Sequence, residues 1–306
     1  MDGIVLLNKP AGITSYDVIR RLKKIFNTKK IGHGGTLDPF ADGLLVIAIN
    51  QGTKIISYFL DSDKGYIAKL KLGEKTDSYD LTGEIIESNK DFSLTKEAFI
   101  ETLNEFKGKT LQTPPMHSAK KVNGQRLYKL ARKGIEIERG KVEINITELD
   151  LVEYSLPYVT IKVACKKGTY IRSLANDIGD KLGSYAHLVE LTRTKSGHFS
   201  IDDAYTLDEL EAEKEDGKLS ECLTSLNDAL SFMPSVTVHS DSEKKVLHGV
   251  TLCDEDIKEK SVEDDITIKL LSENGALLAL AQYHKKKETD EDASTYKYKR
   301  VFLCNN

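Results

Sequence analysis

Cysteine is sparse in this chain of 306 residues, and long apolar runs are missing. Cys165, Cys222, Cys253 and Cys304 lie far apart and form no C-x-x-C pair. That excludes a zinc-ligand spacing and a dense disulfide framework, and leaves buried free thiols as the expectation. An apolar run such as Leu44 to Ile49 is far too short to span a bilayer. The opening MDGIVLLNKP carries an acid at Asp2 and has neither a basic start nor a sustained apolar stretch, so no signal peptide is read there and a cytoplasmic location is expected. There is no G-x-G-x-x-G turn, no P-loop and no acidic metal cluster. Those absences argue against a nucleotide-binding Rossmann domain and against a hydrolase that pairs an aspartate nucleophile with a metal or phosphate site.

What is present describes a soluble protein with a full core. Apolar residues make up 40% of the chain and charged residues 30%. The length suits two domains, expected over residues 1–232 and 233–306, and nothing in the pattern calls for more than a monomer. A net charge of -4 does not suggest a nucleic-acid partner, but its distribution does. Lys107, Lys109, Lys120, Lys121, Arg126, Lys129, Arg132, Lys133, Arg139 and Lys141 crowd one stretch, and Arg20, Arg21, Lys23, Lys24, Lys29 and Lys30 form a second group. Acids gather in Glu209 to Asp216 and Asp254 to Asp265. Segregated charge makes local positive surface that can bind phosphates despite a negative total, although a charge run alone is also an ordinary solvated helix face.

Gly3 to Asn8 reads as a buried strand, followed by a helix capped at Thr14 or Ser15 with Val18, Leu22, Ile25 and Phe26 at helical spacing. Leu44 to Asn50, Tyr66 to Leu72, Val142 to Glu153 and Tyr158 to Cys165 read as strands. Thr95 to Phe106 and Ile171 to Leu182 read as helices. Pro114-Pro115 precedes the basic stretch and Asn123-Gly124 marks a turn inside it, so residues of about 107–142 look like an inserted arm. Four short strands, Ser235 to Val238, Thr267 to Leu271, Leu277 to Tyr283 and Tyr298 to Leu303, point to a small β-barrel, with a mobile loop expected over Lys285 to Thr295. The fold class is α+β around a mainly antiparallel sheet.

Residues Gly32 to Gly43, GHGGTLDPFADG, combine glycines, a histidine and an acid fixed before a proline. Proline holds Asp38 extended and the glycines admit another backbone closely, although an ordinary Asp-Pro turn has the same look. The extended segment GHGGTLDPFADGLL resembles the catalytic motif of the TruB family of pseudouridine synthases. Further segments match the same family in the same order: VLLNKPAGITS, DSDKGYIAKLKLGEKTDSYDLTG, QTPPMHSAKKVNGQRLYKLARKG and KKGTYIRSLANDIGDKLGSYAHLVELTRT. The C-terminal part resembles a PUA domain. Gly34, Asp42 and His117 depart from the family's usual threonine or serine, threonine, and tyrosine.

The resemblance implies a pseudouridine synthase fold with a mixed, mainly antiparallel sheet, the basic arm and a PUA-like barrel. It implies isomerisation of uridine 55 in the T loop of tRNA with no cofactor, no metal and no guide RNA. It makes Asp38 the nucleophile, Arg172 its ion-pair partner, and Tyr66 an active-site phenol that stacks on the base or moves a proton. Tyr170 and Leu191 would line the pocket, Lys9 would lie near phosphate, and Asp80 would meet RNA or buttress the site. His33 would enter the T loop, with Lys120, Arg126 and Tyr128 on the RNA-clamping arm. The chemistry suits a carboxylate, which can attack ribose C1′ or uracil C6 and later depart. An arginine suits the partner role because its charge survives burial and its planar fork engages both oxygens. Two rival readings use the same surface: an RNA-binding or RNA-folding protein without catalysis, and a guide-dependent synthase within a ribonucleoprotein.

Overall fold

The structure is a computed structural model that describes residues 1–302 apart from Lys90, Ala119, Asn123, Arg132, 259–262 and 286–294. The turn at Asn123, most of the loop expected over 285–295, the thiol of Cys304 and the side chains of Lys121, Arg126 and Tyr128 lie outside the described residues.

In chain order the main elements of the first unit are β1 (Gly3–Lys9), α1 (Ser15–Ile25), β2 (Asp42–Ile49), β3 (Lys64–Leu72), α2 (Lys96–Glu105), β4 (Gly108–Gln112), β5 (Val142–Ser155), β6 (Tyr158–Cys165), α3 (Ile171–Lys181) and β7 (Ala186–Ser196). The strands form one sheet in the order β1-β2-β7-β3-β6-β5-β4. Each neighbouring pair is antiparallel except β2 and β7, which run parallel with Thr192 beside Asp42 and Arg193 beside Gly43. The mixed, mainly antiparallel sheet expected from the sequence is therefore present.

Apolar periodicity explains which faces are covered. Thr14 caps α1 in a capping box with Asp17, and Val18, Leu22 and Ile25 then fall on the buried face against β1 and β2. Burying side chains of this size contributes about 1.5–3 kcal/mol each. Helices α2 and α3 cover the other half of the sheet through Phe99, Leu103, Leu174 and Ile178, which share one core with Leu70, Ile161 and Leu188.

The basic stretch begins later than the sequence suggests. Gly108–Gln112 is the edge strand of the main sheet, paired with β5 from Gln112 opposite Val142 to Gly108 opposite Ile146. The arm is thus the excursion 113–141 between the paired residues Gln112 and Val142. Lys107 and Lys109 are held along the sheet edge by Asp150 and Glu143, at 3.0 and 3.4 Å.

The N-terminal basic group is also corrected. Arg20 pairs with Asp17, and Arg21 reaches Asp208 and Glu211 on the acidic helix Leu207–Glu215. The acidic run packs on α1 and neutralises part of what looked like free positive surface. The thiols of Cys165 and Cys222 are buried, whereas Cys253 is half-buried.

The second unit contains β8 (Ser235–Thr237), β9 (Thr267–Leu271), β10 (Leu277–His284) and β11 (Thr295–Val301), ordered as numbered, with β8 and β9 parallel and the others antiparallel. Segment 252–257 bridges both sides of this sheet, Ile257 to Val238 beyond β8 and Leu252 to Tyr296 on β11, so the small sheet curls. One core joins the units: Ile4, Leu6 and Val46 pack with Leu277, Leu280 and Phe302. Lys54 donates to the carbonyl of Val301 at 2.7 Å, and Lys269 to Asn227 at 2.7 Å.

Candidate active site

The loop before β2 carries Asp38, and its backbone is fastened from two sides. Ser15, at the start of α1, accepts from the Leu37 amide at 3.0 Å and donates to the Leu37 carbonyl at 3.2 Å. The Gly12 amide donates to the Pro39 carbonyl at 2.7 Å. Lys9 is fully buried and its ammonium donates to the carbonyls of Pro10, Ile13 and Pro39. Lys9 is thus a structural tie within the chain: every donor direction with a partner points at backbone, and a buried cation needs those carbonyls.

Arg193 on β7 fastens the loop from the other side. Its Nε donates to the Leu44 carbonyl at 2.7 Å, and its two terminal nitrogens donate to Thr36 and Gly35 carbonyls at 3.3 Å each. Gly43 makes the close strand approach possible, since it has φ +99° and a Cβ there would lie 2.4 Å from the Arg193 carbonyl oxygen.

Arg172, in the first turn of α3, is the hub of the site. Its Nε lies 3.0 Å from one Asp38 oxygen and its Nη2 3.4 Å from the other, which is the side-on pairing that a guanidinium allows. Its Nη1 meets Asp80 at 3.0 Å, and Nη2 also donates to the His117 carbonyl at 2.7 Å. Asp80 is buried and accepts from Ser78, from the Thr82 hydroxyl and from the Thr82 amide. Of the two roles the sequence allowed Asp80, this geometry is that of a buttress.

Tyr170 precedes α3 and is clamped through its backbone, its amide donating to Gln112 at 2.9 Å and its carbonyl accepting from the same side chain at 3.0 Å. Ser173 donates to the Thr113 carbonyl at 3.0 Å. The arm is thereby bolted to the start of α3 where it leaves the sheet, and the Arg172 bond to the His117 carbonyl ties it again at the cavity wall.

These elements surround an open cavity of about 610 Å³, within the range of small-ligand sites. Asp38, Tyr66, Asp80, Tyr170, Arg172 and Leu191 line it, so six of the residues singled out from the sequence converge. Lys9, His33 and Lys120 do not line it. His33 sits half-buried on the short strand Ile31–His33, with its ring accepting from the Gly35 amide at 3.4 Å. Burial and the nearby Arg193 push its pKa below the ordinary histidine value.

Sequence reasoning missed Thr36, Phe40, Thr82, Ser118 and Thr169 on the cavity wall, and Arg193 behind it. A signal for Arg193 exists: it stands two residues beyond Leu191, on the same face of β7, and a lone arginine on an inward-facing position asks for a partner. That partner is Tyr66, opposite Arg193 in the β3–β7 register.

The electrostatics follow from these contacts. Burial pushes the Asp38 carboxyl above its ordinary value, Arg172 opposes the shift, and Asp80 adds to it. The side chain keeps 40% of its surface open, so the desolvation is that of a crevice crowded by walls and not of a sealed core. Burial likewise raises the Tyr66 phenol, with the Arg193 charge and hydrogen bond pulling it back. No group of three or more His, Cys, Asp or Glu among the described residues could hold a metal ion. The arrangement can present a carboxylate, paired by a guanidinium, to a planar ligand between two phenol rings and a leucine.

Comparison with known proteins gives this arrangement a class. Residues 23–171 match the model for the TruB family pseudouridylate synthase (N terminal domain), and residues 172–231 match the tRNA pseudouridylate synthase B C-terminal domain. Among solved structures, a chain of an H/ACA RNP bound to a substrate RNA containing 2'-deoxyuridine aligns with a TM-score of 0.73 and 25% identity, covering 98% of this chain and 85% of that one. The fold is that of a pseudouridine synthase, an enzyme that isomerises uridine within RNA.

Sequence relatives narrow the assignment. The protein named tRNA pseudouridine synthase B from Clostridium kluyveri is 43% identical over 87% of this chain and 90% of its own length. The one of that name from Bacillus velezensis is 40% identical over 94% and 95%. The chain belongs to the TruB family.

Proposed function

We propose that this chain converts one uridine in the T loop of tRNA, position 55, to pseudouridine, with Asp38 as the nucleophile and with neither cofactor nor guide RNA. The observation that carries the reading is the Asp38 carboxylate held side-on by Arg172, at 3.0 and 3.4 Å, on the wall of a cavity shared with Tyr66, Tyr170 and Leu191. The substrate assignment draws on the relatives named tRNA pseudouridine synthase B.

Pseudouridine formation breaks the bond from uracil N1 to the ribose, turns the free base, and rejoins it through C5. No electron or group is gained or lost, so a donor is not required. Asp38 attacks ribose C1′ or uracil C6 and later departs, which divides one hard step into easier ones. Arg172 keeps the carboxylate charged against burial. Tyr66 and Tyr170 hold the base by its faces, and the Tyr66 hydroxyl exchanges a proton with it. The uridine must first leave its stack, at a cost of a few kcal/mol. An aromatic ring that fills the gap returns about 1–3 kcal/mol, the role assigned to His33. Lys120, Arg126 and Tyr128 of the arm engage the RNA, and the chain works as a cytoplasmic monomer.

The test is to incubate the purified chain with unmodified tRNA, without any other RNA, and to map pseudouridine by position. Pseudouridine at the T-loop site alone supports the reading. Its appearance only when a guide RNA is added, or its absence despite tight tRNA binding, would overturn it.

A further inference from the structure

Two buried arginines serve this cavity, and the second has no role in the chemistry set out above. Arg193 is 2% exposed and approaches from behind the wall. Three backbone carbonyls take its Nε and one N–H of each terminal nitrogen, which leaves two guanidinium N–H groups over, and Tyr66 is its neighbour across the strand pair. Cross-strand partners of this kind bring side chains of one face into contact.

Arg193 and Tyr66 stand opposite each other on neighbouring strands, within reach of a side-chain hydrogen bond, and Tyr66 is the group that favours the charge of Arg193 against burial. The charges around the pair are cationic on the Arg193 side, with Lys9, Lys64 and His33 nearby, and Asp38 and the Cys165 thiol on the Tyr66 side.

The direction of that hydrogen bond is fixed by chemistry. A guanidinium has only donors, whereas a phenol has one donor and two acceptor lone pairs. Tyr66 must therefore accept from Arg193, and its own O–H is left to point elsewhere. Tyr66 lines the cavity, so that O–H can be offered to a ligand bound there. A lysine in the same place would carry the charge but could not hold three carbonyls in a plane while presenting a further N–H to the phenol.

We propose that Arg193 is the positioning residue for Tyr66: it takes the phenol oxygen as an acceptor and so aims the Tyr66 hydroxyl, as a donor, at the bound uridine. The carbonyl bonds to Gly35, Thr36 and Leu44 hold the guanidinium in place for this task and set the phenol's offset from Asp38, whose loop they also fasten.

The inference rests on the assignment of this cavity as the reaction site. A wild-type chain that forms no pseudouridine would fail that assignment, whereas an active wild type with the results below would fail the inference alone.

The experiment measures single-turnover pseudouridine formation on unmodified tRNA for the wild type, Arg193→Lys, Tyr66→Phe and the double variant, with tRNA Kd for each. Arg193→Lys is expected to slow the reaction roughly 10- to 100-fold with Kd within about 2-fold, the signature of lost alignment. In the Tyr66→Phe background the same change should cost clearly less than in the wild type, the remainder being what the loosened Asp38 loop costs by itself. An equal cost in both backgrounds, or a loss that appears in Kd, overturns the proposal.

Should Arg193→Lys not fold, Tyr66→Phe alone decides the matter. Removing the acceptor leaves a buried N–H unpaired, so Tm should fall by a few degrees. An unchanged Tm overturns the proposal.

Discussion

Two aspartates in this chain each meet a cation in a crowded setting, yet they are built for opposite ends. In the second unit, Asp256 is buried and both of its oxygens are taken: Lys245 lies 2.6 Å from one, which Ser242 also reaches, and the Cys253 amide lies 3.0 Å from the other. Burial pushes its pKa up, but the hydrogen bonds from Lys245, Ser242 and Cys253 outweigh burial and hold it well below the ordinary carboxylate range. Asp38 has one cationic partner, Arg172, and there burial wins, leaving the pKa raised. Saturation with donors makes a carboxylate inert and structural. A single partner, with open surface beside it, leaves lone pairs free to attack carbon.

Exchanging each aspartate for asparagine should separate the two roles. Asp38→Asn is expected to lower pseudouridine formation on the order of 10⁴-fold or more while tRNA binding persists, as read by single-turnover assay and filter binding. Its Tm should stay level or rise. The sign follows from the raised folded pKa: the charged form costs stability once pH rises through that value, and asparagine removes the cost. A fall in Tm with activity retained would erase the contrast.

Arg172→Met strikes the hub from the other side. Asp38 loses its cation and Asp80, whose side chain is 3% exposed, is left buried and unpaired. Activity should drop roughly 10²- to 10³-fold, and denaturant titration should show a loss of about 3–5 kcal/mol.

Asp256→Asn inverts this pattern, with a stability loss of about 2–4 kcal/mol and a single-turnover rate per folded molecule within about 2-fold of wild type. Its pH dependence has a definite sign. The folded pKa is depressed, so the stabilisation is complete above the unfolded value of about 3.9 and fades as pH falls toward the folded one. Calorimetry below about pH 4 should show wild type and variant converging, and a gap that widens on acidification would contradict the assignment. The smallest effect belongs to an exposed pair: Lys162→Ala breaks a 2.6 Å contact with Glu148 on the surface of β6 and should leave Tm and activity unchanged.

Much of this was readable before any coordinates. Strand Tyr158–Cys165 and the start of α3 at Ile171 fall where alternation and periodicity put them. The convergence of Asp38, Tyr66 and Arg172 was legible through family motifs, because no local rule joins residues so far apart in the chain.

What escaped is contact across the fold. Nothing near Lys9 in sequence foretells that its ammonium would also reach the Pro39 carbonyl, and nothing near Arg21 foretells the acids of Leu207–Glu215. The edge strand Gly108–Gln112 was read into the arm because lysines at 107 and 109 look like RNA ligands, whereas their partners come from β5. Arg193 was hidden in a matched segment whose pairing with Tyr66 is visible only in register.

The central claim is that the Asp38 carboxylate reacts in its charged form, which Arg172 preserves against burial. The pH dependence of the single-turnover rate on unmodified tRNA, in wild type and Arg172→Lys, tests it most directly. The rate should fall on acidification with a midpoint above the ordinary aspartate value of about 3.9. Arg172→Lys should move that midpoint higher still, because a point charge replaces the side-on pair. An acid limb at or below the ordinary value, or one that Arg172→Lys does not move, would contradict the account.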